Sequence, residues 1–172
     1  MEIFRDFAKK IVTKEDLIFF LEEINLVQRL IFKNTNIPLS EKVKENRDED
    51  FGKEDEEKKV PSFNFAFAQL IEELEKKKII SKNPEENRIF FENFKKYLQN
   101  LPQIKIEMAF RPKKEFVNKI SLWLEKEIKQ RAVLDLIFNP EIVGGAIIEY
   151  QGRQINFSLA KKIDELISQK QL

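Results

Sequence analysis

Apolar side chains recur at steps of three and four along the first hundred residues of this chain, and after Pro102 the step shortens to two. The first rhythm belongs to amphipathic helices, the second to half-buried strands. Ile3, Phe4, Phe7 and Ile11 share one face of a short helix near the start. Thr13-Lys-Glu-Asp16 has capping-box spacing and predicts a long helix to about Phe32, striped by Leu17, Phe20, Leu21, Ile24, Val27, Gln28 and Ile31. Phe19, Leu26 and Leu30 widen that stripe, so the helix has apolar contacts to make on more than one side. Pro61-Ser62 predicts a helix carrying Phe63, Phe67, Leu70, Ile71 and Leu74, ending in Lys76-Lys-Lys78, where cations suit the negative end of the helix dipole. Asn83-Pro84-Glu85-Glu86 combines a side-chain cap, a first-turn proline and two carboxylates, and starts a helix with Ile89, Phe90, Phe94, Tyr97, Leu98 and Leu101.

Beyond Pro102, Ile104, Ile106, Met108 and Phe110 alternate with Lys105, Glu107 and Ala109, as in a strand with one face covered. A helix follows from Pro112 to about Gln130, with Phe116, Ile120, Trp123, Leu124 and Ile128 as its stripe. Ala132 to Phe138, Ala146 to Tyr150 and Arg153 to Asn156 read as three more strands, the last two joined at Gln151-Gly152 by a loop of hairpin length. Ser158 caps a final helix with Leu159, Ile163, Leu166 and Ile167. The expectation is an α+β protein: a helical domain over residues 1–101, then a small mixed-sheet domain over 102–172 in the order β-α-β-β-β-α.

Between the helices, residues 41–60 are nearly all charged, with Val43 and Phe51 the sizeable apolar exceptions. Such a stretch buries too little surface to offset its ordering entropy, and reads as a mobile linker or a frayed helix. Composition narrows the function. The formal charge is +1 with 35% charged residues, so no basic excess points to nucleic acid. Histidine and cysteine are absent, which removes the commonest general base, thiolate chemistry and Cys/His metal sites. No apolar run is long enough to span a bilayer, and the first residues lack the order of a signal peptide. Direct membrane insertion is therefore not expected.

Three features invite a chemical reading. Gly144-Gly145 suggests a phosphate loop, but no Lys-Ser/Thr follows it, so a bend at a strand entrance is the better expectation. Asp135, Glu141 and Glu149 would supply a carboxylate group only if the strands brought them together. Trp123, on its helical stripe, is expected in the core. No catalytic, cofactor-binding or metal-binding residue is assigned, and no cofactor is expected.

The C-terminal half resembles the delta subunit of F-type ATP synthases, the family of the oligomycin-sensitivity-conferring protein. Ile104-Lys-Ile-Glu-Met-Ala-Phe-Arg-Pro112 is similar to its first strand and helix entry. Asn139, Pro140, Ile142, Gly144, Gly145, Gly152, Asn156 and Ser158 follow the family signature in order and spacing. Asn139 and Asn156 stand where the family usually has Asp; both keep an oxygen that holds a turn. Ser62 to Leu101 resembles the last two helices of the family's N-terminal bundle.

The resemblance implies a stator part without an active site, in the peripheral stalk of a proton-translocating ATP synthase on the cytoplasmic side of the plasma membrane. The helical domain would grip N-terminal segments of the alpha subunits, with Leu17, Phe20, Ile24, Phe63, Phe67 and Leu70 lining the groove. The smaller domain would bind the C-terminal helices of the b subunits. A free-standing adaptor or regulatory protein carrying a delta-like domain is the alternative, and a carboxylate hydrolase a weaker one.

Overall fold

A computed structural model of the chain describes residues 2–33, 36–48, 65–159 and 161. It clusters into two compact units, one made of Met1–Leu17 with Asn100–Leu172, the other of Ile18–Gln99. Residues 1–17, grouped above with the helices, thus fall with the sheet, and the helical unit interrupts that unit's sequence. The α+β class is as expected: six helices and a four-stranded mixed sheet lie among the described residues.

The sheet unit contains α1 (Glu2–Ala8), β1 (Gln103–Met108), α6 (Lys114–Ile128), β2 (Val133–Phe138), β3 (Ala146–Tyr150) and β4 (Arg153–Asn156). The strand order is β2-β1-β3-β4. β1 and β2 run parallel, in register from Gln103↔Val133 to Met108↔Phe138, as the α6 crossover requires. β3 is antiparallel to β1 and to β4. The two-residue repeat puts Ile104, Ile106, Met108 and Leu134 on one face, buried with Val117 and Leu124 of α6. Gln151 (φ 50°) and Gly152 (φ 73°) are both left-handed, the mirror-image turn that matches strand twist, although glutamine is rare at its first position.

The buried stripe of α6 differs from the expected one. Val117, Ser121 and Leu124 face the sheet, while Phe116 is 44% and Trp123 52% exposed. Phe116 and Trp123 are seven residues apart and share a flank, so a stripe centred on them is rotated away from the face that packs. The expectation of a core Trp123 is therefore corrected.

In the helical unit, α2 (Lys14–Ile31, its first turn assigned to the sheet unit), α3 (Leu39–Asp48), α4 (Phe65–Lys76) and α5 (Pro84–Gln99) are the helices. Residues 41–48 of the charged segment are helical, the second of its two expected forms, with Leu39 and Val43 buried and Lys44 paired with Glu72 of α4 at 2.8 Å. Residues 49–60, together with Pro61, Ser62 and Phe63, lie outside the described residues. Phe67, Leu70, Ile71 and Leu74 of α4 are buried as expected. α5 buries Phe94 and Leu98 as expected, together with Asn87 and Phe91, whereas Ile89 of the expected stripe is half exposed. Both predicted starts hold: Asp16 N–H donates to Thr13 Oγ1 (3.2 Å) while Asp16 Oδ2 accepts from Thr13 N–H (2.9 Å), and Asn83 Oδ1 accepts from Glu85 N–H (3.0 Å).

Candidate interaction surfaces

The residues expected to line a groove in the helical unit are mostly core. Ile24 and Leu70 are fully buried, and so is Phe67 but for a trace. Phe20 is half-buried, with its ring edge-on to Phe67 at 5.7 Å between centroids. Leu17 is buried and clusters with the sheet unit, and Phe63 is outside the described residues. The apolar side chains this unit presents to solvent include Ile18, Phe19, Phe32 and Ile89.

The same unit carries a polar cluster at the C-terminal end of α2. Lys42 is buried and its ammonium donates to the carbonyls of Ile31 (3.2 Å) and Leu30 (3.4 Å), two of the carbonyls left unpaired at a helix end. Burial pulls the Lys42 amine below its ordinary range, and the nearby Glu75 carboxylate partly opposes that. Glu75 in turn accepts from the backbone and hydroxyl of Ser40. A pocket of about 260 Å³ opens here, bounded by Ile31, Leu39, Lys42, Glu75, Ile80 and Asn87 among others. Asn87 is satisfied by the backbone of Ser81 on both sides, accepting at 2.9 Å and donating at 2.8 Å. These polar groups are committed to holding helix ends.

In the sheet unit the carboxylates do not converge. Asp135 and Glu149 are the register partners of Lys105 on either side of β1, Asp135 is bonded to Lys14 (2.7 Å), and Glu141 is exposed. Lys105 bonds Glu107 at 2.9 Å, which raises the lysine and, with the Asn139 amide, holds Glu107 below the ordinary carboxylate range. Among the described residues no group of three or more acidic side chains is placed to hold a metal ion.

The glycine-rich stretch is a chain of backbone constraints. Asn139 Oδ1 accepts from Glu141 N–H (3.0 Å) and its amide donates to Glu107 (3.3 Å); Pro140 opens a single 3₁₀ turn, and Ile142 is buried. Val143 has φ 63° and ψ −39°, and Gly144 N–H donates back to Ile142 O at 2.7 Å, the form of a γ-turn that is strained for a β-branched residue. Gly145 has φ 84°, and a Cβ there would lie 2.3 Å from the carbonyl oxygen of Phe157. Asn156 Oδ1 accepts from Ser158 N–H (2.8 Å) and Ser158 Oγ from Lys161 N–H (3.3 Å), so a helix start is capped as expected, though the helix itself lies largely outside the described residues. Leu159 N–H closes the unit on Gly144 O at 2.8 Å. Seven of the eight signature positions thus lie at one corner of the sheet, and Gly152 lies in the hairpin turn at the other end of β3.

The family model described as ATP synthase delta (OSCP) subunit matches residues 41–169. The chain belongs to this family. The match includes α3, α4 and α5 as well as the sheet, so it is not confined to the C-terminal domain. No curated protein matches the chain. Among solved structures, the chain is similar to one from a cryo-electron-microscopy structure of Polytomella F-ATP synthase in primary rotary state 3, with 21% identity over 40% of this chain and 89% of that one, at a TM-score of 0.35. As a delta-family member the chain is a peripheral-stalk component of an ATP synthase, and the family is not catalytic. No helix among the described residues is long and apolar enough to cross a membrane.

In this delta-family protein the sheet unit carries a surface that sequence reading missed. At the C-terminal ends of the parallel strands, Phe110 and Phe116 lie 5.9 Å apart, and the Arg111 guanidinium stands 5.5 Å from the Phe138 ring. All three rings are 44–49% exposed. A pocket of about 380 Å³ beside them is walled by Met108, Arg111, Pro112, Leu136, Ile137 and Phe138 with Glu15. Arg111, on the pocket wall, is exposed, as are Lys113 and Lys114 just after it in sequence. The signal was Phe110, two residues past the end of β1, and Phe138, the last residue of β2.

Proposed function

We propose that this delta-family protein is the stator link of a proton-translocating ATP synthase, joining the alpha subunits of the catalytic head to the b subunits of the peripheral stalk. It works on the cytoplasmic side of the plasma membrane, held there through its partners. The observation that carries this reading is the family match across both helices and sheet, which also disfavours a free-standing adaptor that borrowed the small domain alone.

The alpha segment is assigned to the helical unit. Ile24, Phe67 and Leu70 form the packed wall behind it, Phe20 the edge, and exposed Ile18 and Phe19 the contact. The helices of the b subunits are assigned to the Phe110, Phe116 and Phe138 patch, since an amphipathic helix supplies an apolar ridge for the rings and carboxylates for the exposed Arg111, Lys113 and Lys114. Calorimetry with a synthetic peptide from the N-terminus of alpha, and separately with one from the C-terminus of b, tests the reading. Phe19→Ser is expected to weaken only the first and Phe116→Ser only the second. Absence of binding by either peptide to the native chain overturns it.

A further inference from the structure

The cavity of about 260 Å³ lies wholly within the helical unit, and its wall is of two kinds. Ile31, Leu39 and Ile80 are among its apolar residues, and Lys42, Glu75 and Asn87 among its polar ones. Two of the polar side chains sit deep, Lys42 at 8% and Asn87 at 6% exposure. Neither has used up its donors. An ammonium has three N–H groups and a carboxamide two. Lys42 uses two, on the carbonyls of Leu30 and Ile31, and Asn87 uses one, on Ser81 O. Each residue therefore keeps one N–H with no acceptor among the described residues.

The acceptors beside them are engaged. The two Glu75 oxygens each accept from Ser40, and Asn87 Oδ1 accepts from Ser81 N–H. Ser81 Oγ accepts from Asn83 N–H while it donates to Glu86. A wall with donors to spare and acceptors occupied suits a guest that only accepts, and an ionised carboxylate is such a group. Charge points the same way. Burial pulls the Lys42 amine below its ordinary range even with Glu75 nearby, so its ammonium is short of favourable partners. Lys82, exposed and also on the wall, sets a second cation against the single carboxylate of Glu75. Size limits the rest of the guest, because sites for drug-sized molecules run from about 300 Å³ upward. We propose that this cavity binds a short-chain aliphatic monocarboxylate, with the carboxylate on Lys42 and Asn87 and the tail against Ile31, Leu39 and Ile80. The site stands whether or not the chain is a stator link.

The test titrates the full chain with hexanoate, and with hexan-1-ol and hexylamine as probes of equal tail, while backbone amide signals are followed by NMR. Hexanoate is expected to bind saturably, to shift Ile31, Lys42, Ile80 and Asn87 most, and to bind about tenfold or more tighter than the alcohol or the amine. Lys42→Met, similar in length but without donors, is expected to lose about tenfold or more in hexanoate affinity while its hexanol affinity stays the same. Should that variant fail to fold, the contrast of hexanoate with hexanol on the native chain decides. Absence of saturable hexanoate binding, or shifts centred away from these four residues, overturns the site. Hexanol binding as tightly as hexanoate, or undiminished hexanoate binding by Lys42→Met, overturns the assignment of the carboxylate to Lys42.

Discussion

The guanidinium of Arg131 meets the carbonyl of Ile11 twice, through Nη2 and Nε, across 120 residues of sequence. Removing the guanidinium strands two main-chain carbonyls and a serine hydroxyl. Each such group, where buried, costs about 1–3 kcal/mol when left unpaired, with part recovered by local water entry. Arg131→Ala is therefore expected to lower the stability of the sheet unit by roughly 3 kcal/mol, read as a shifted denaturant midpoint. Arg131→Lys, lacking the fork, is expected to recover less than half.

Gly145 and Gly152 share a positive φ but not a neighbourhood. A Cβ at Gly145 would meet backbone at 2.3 Å, whereas at Gly152 nothing lies within 4 Å. Gly152→Ala is expected to cost only the left-handed penalty of about 1 kcal/mol. Gly145→Ala adds a clash that only movement of the 157–158 backbone relieves, and is expected to cost upwards of about 3 kcal/mol. Thermal melts of the two variants side by side test the contrast.

Asn139 stands where the family usually has Asp, and its amide makes a bond that an aspartate cannot. The Nδ2 group donates to Glu107, and an acidic replacement would set two carboxylates together. Asn139→Asp is expected to cost about 1 kcal/mol at neutral pH. The pH dependence follows from Glu107, whose folded value is lowered from 4.5 by the Lys105 and Asn139 bonds. The unfolded chain takes up that proton first, so the stability Glu107 contributes is full above 4.5 and fades as pH falls through the lower folded value. Glu107→Gln is expected to flatten that acid limb, and the cost of Asn139→Asp to shrink over the same window, both measurable by urea titration at stepped pH.

Lys42 gives the opposite limb. Desolvation lowers its folded value from 10.5, so between the folded value and 10.5 the unfolded chain holds more protons and stability rises with pH. Lys42→Met is expected to abolish this alkaline gain. At neutral pH it changes stability little, because the lost bonds to Leu30 and Ile31 are offset by the relieved burial of charge. Denaturation at about pH 8 and about pH 10, native against variant, reads the difference directly.

How far the chain can be read from sequence depends on the range of the forces. The strands, their succession along the chain and the caps at Thr13, Asn83 and Ser158 are legible because alternation and capping are local. The stripe of α6 is misjudged because Phe116 and Val117 differ by one step of helix phase, and only the facing Leu134 and Ile106 select between them. Residues 41–48 look unstructured since their own apolar content is small; Leu39 and Val43 become core through α4, which sequence alone does not bring near. Arg131 is invisible among Lys129-Gln130-Arg131, because nothing local separates a solvated cation from one that closes a loop of more than a hundred residues. The groove residues are apolar as the pattern says, yet period does not distinguish a face that packs inward from one that waits for a partner.

The parallel bridge from Thr13 to Leu134 bears on how the molecule is born. On a ribosome adding roughly 5–20 residues each second, the segment around Thr13 emerges many seconds before the strand that receives it. Meanwhile the intervening helices, rich in local contacts, are free to condense. The segment around Thr13 is thus made well before the strand it pairs with and is among the last parts of the sheet unit to settle.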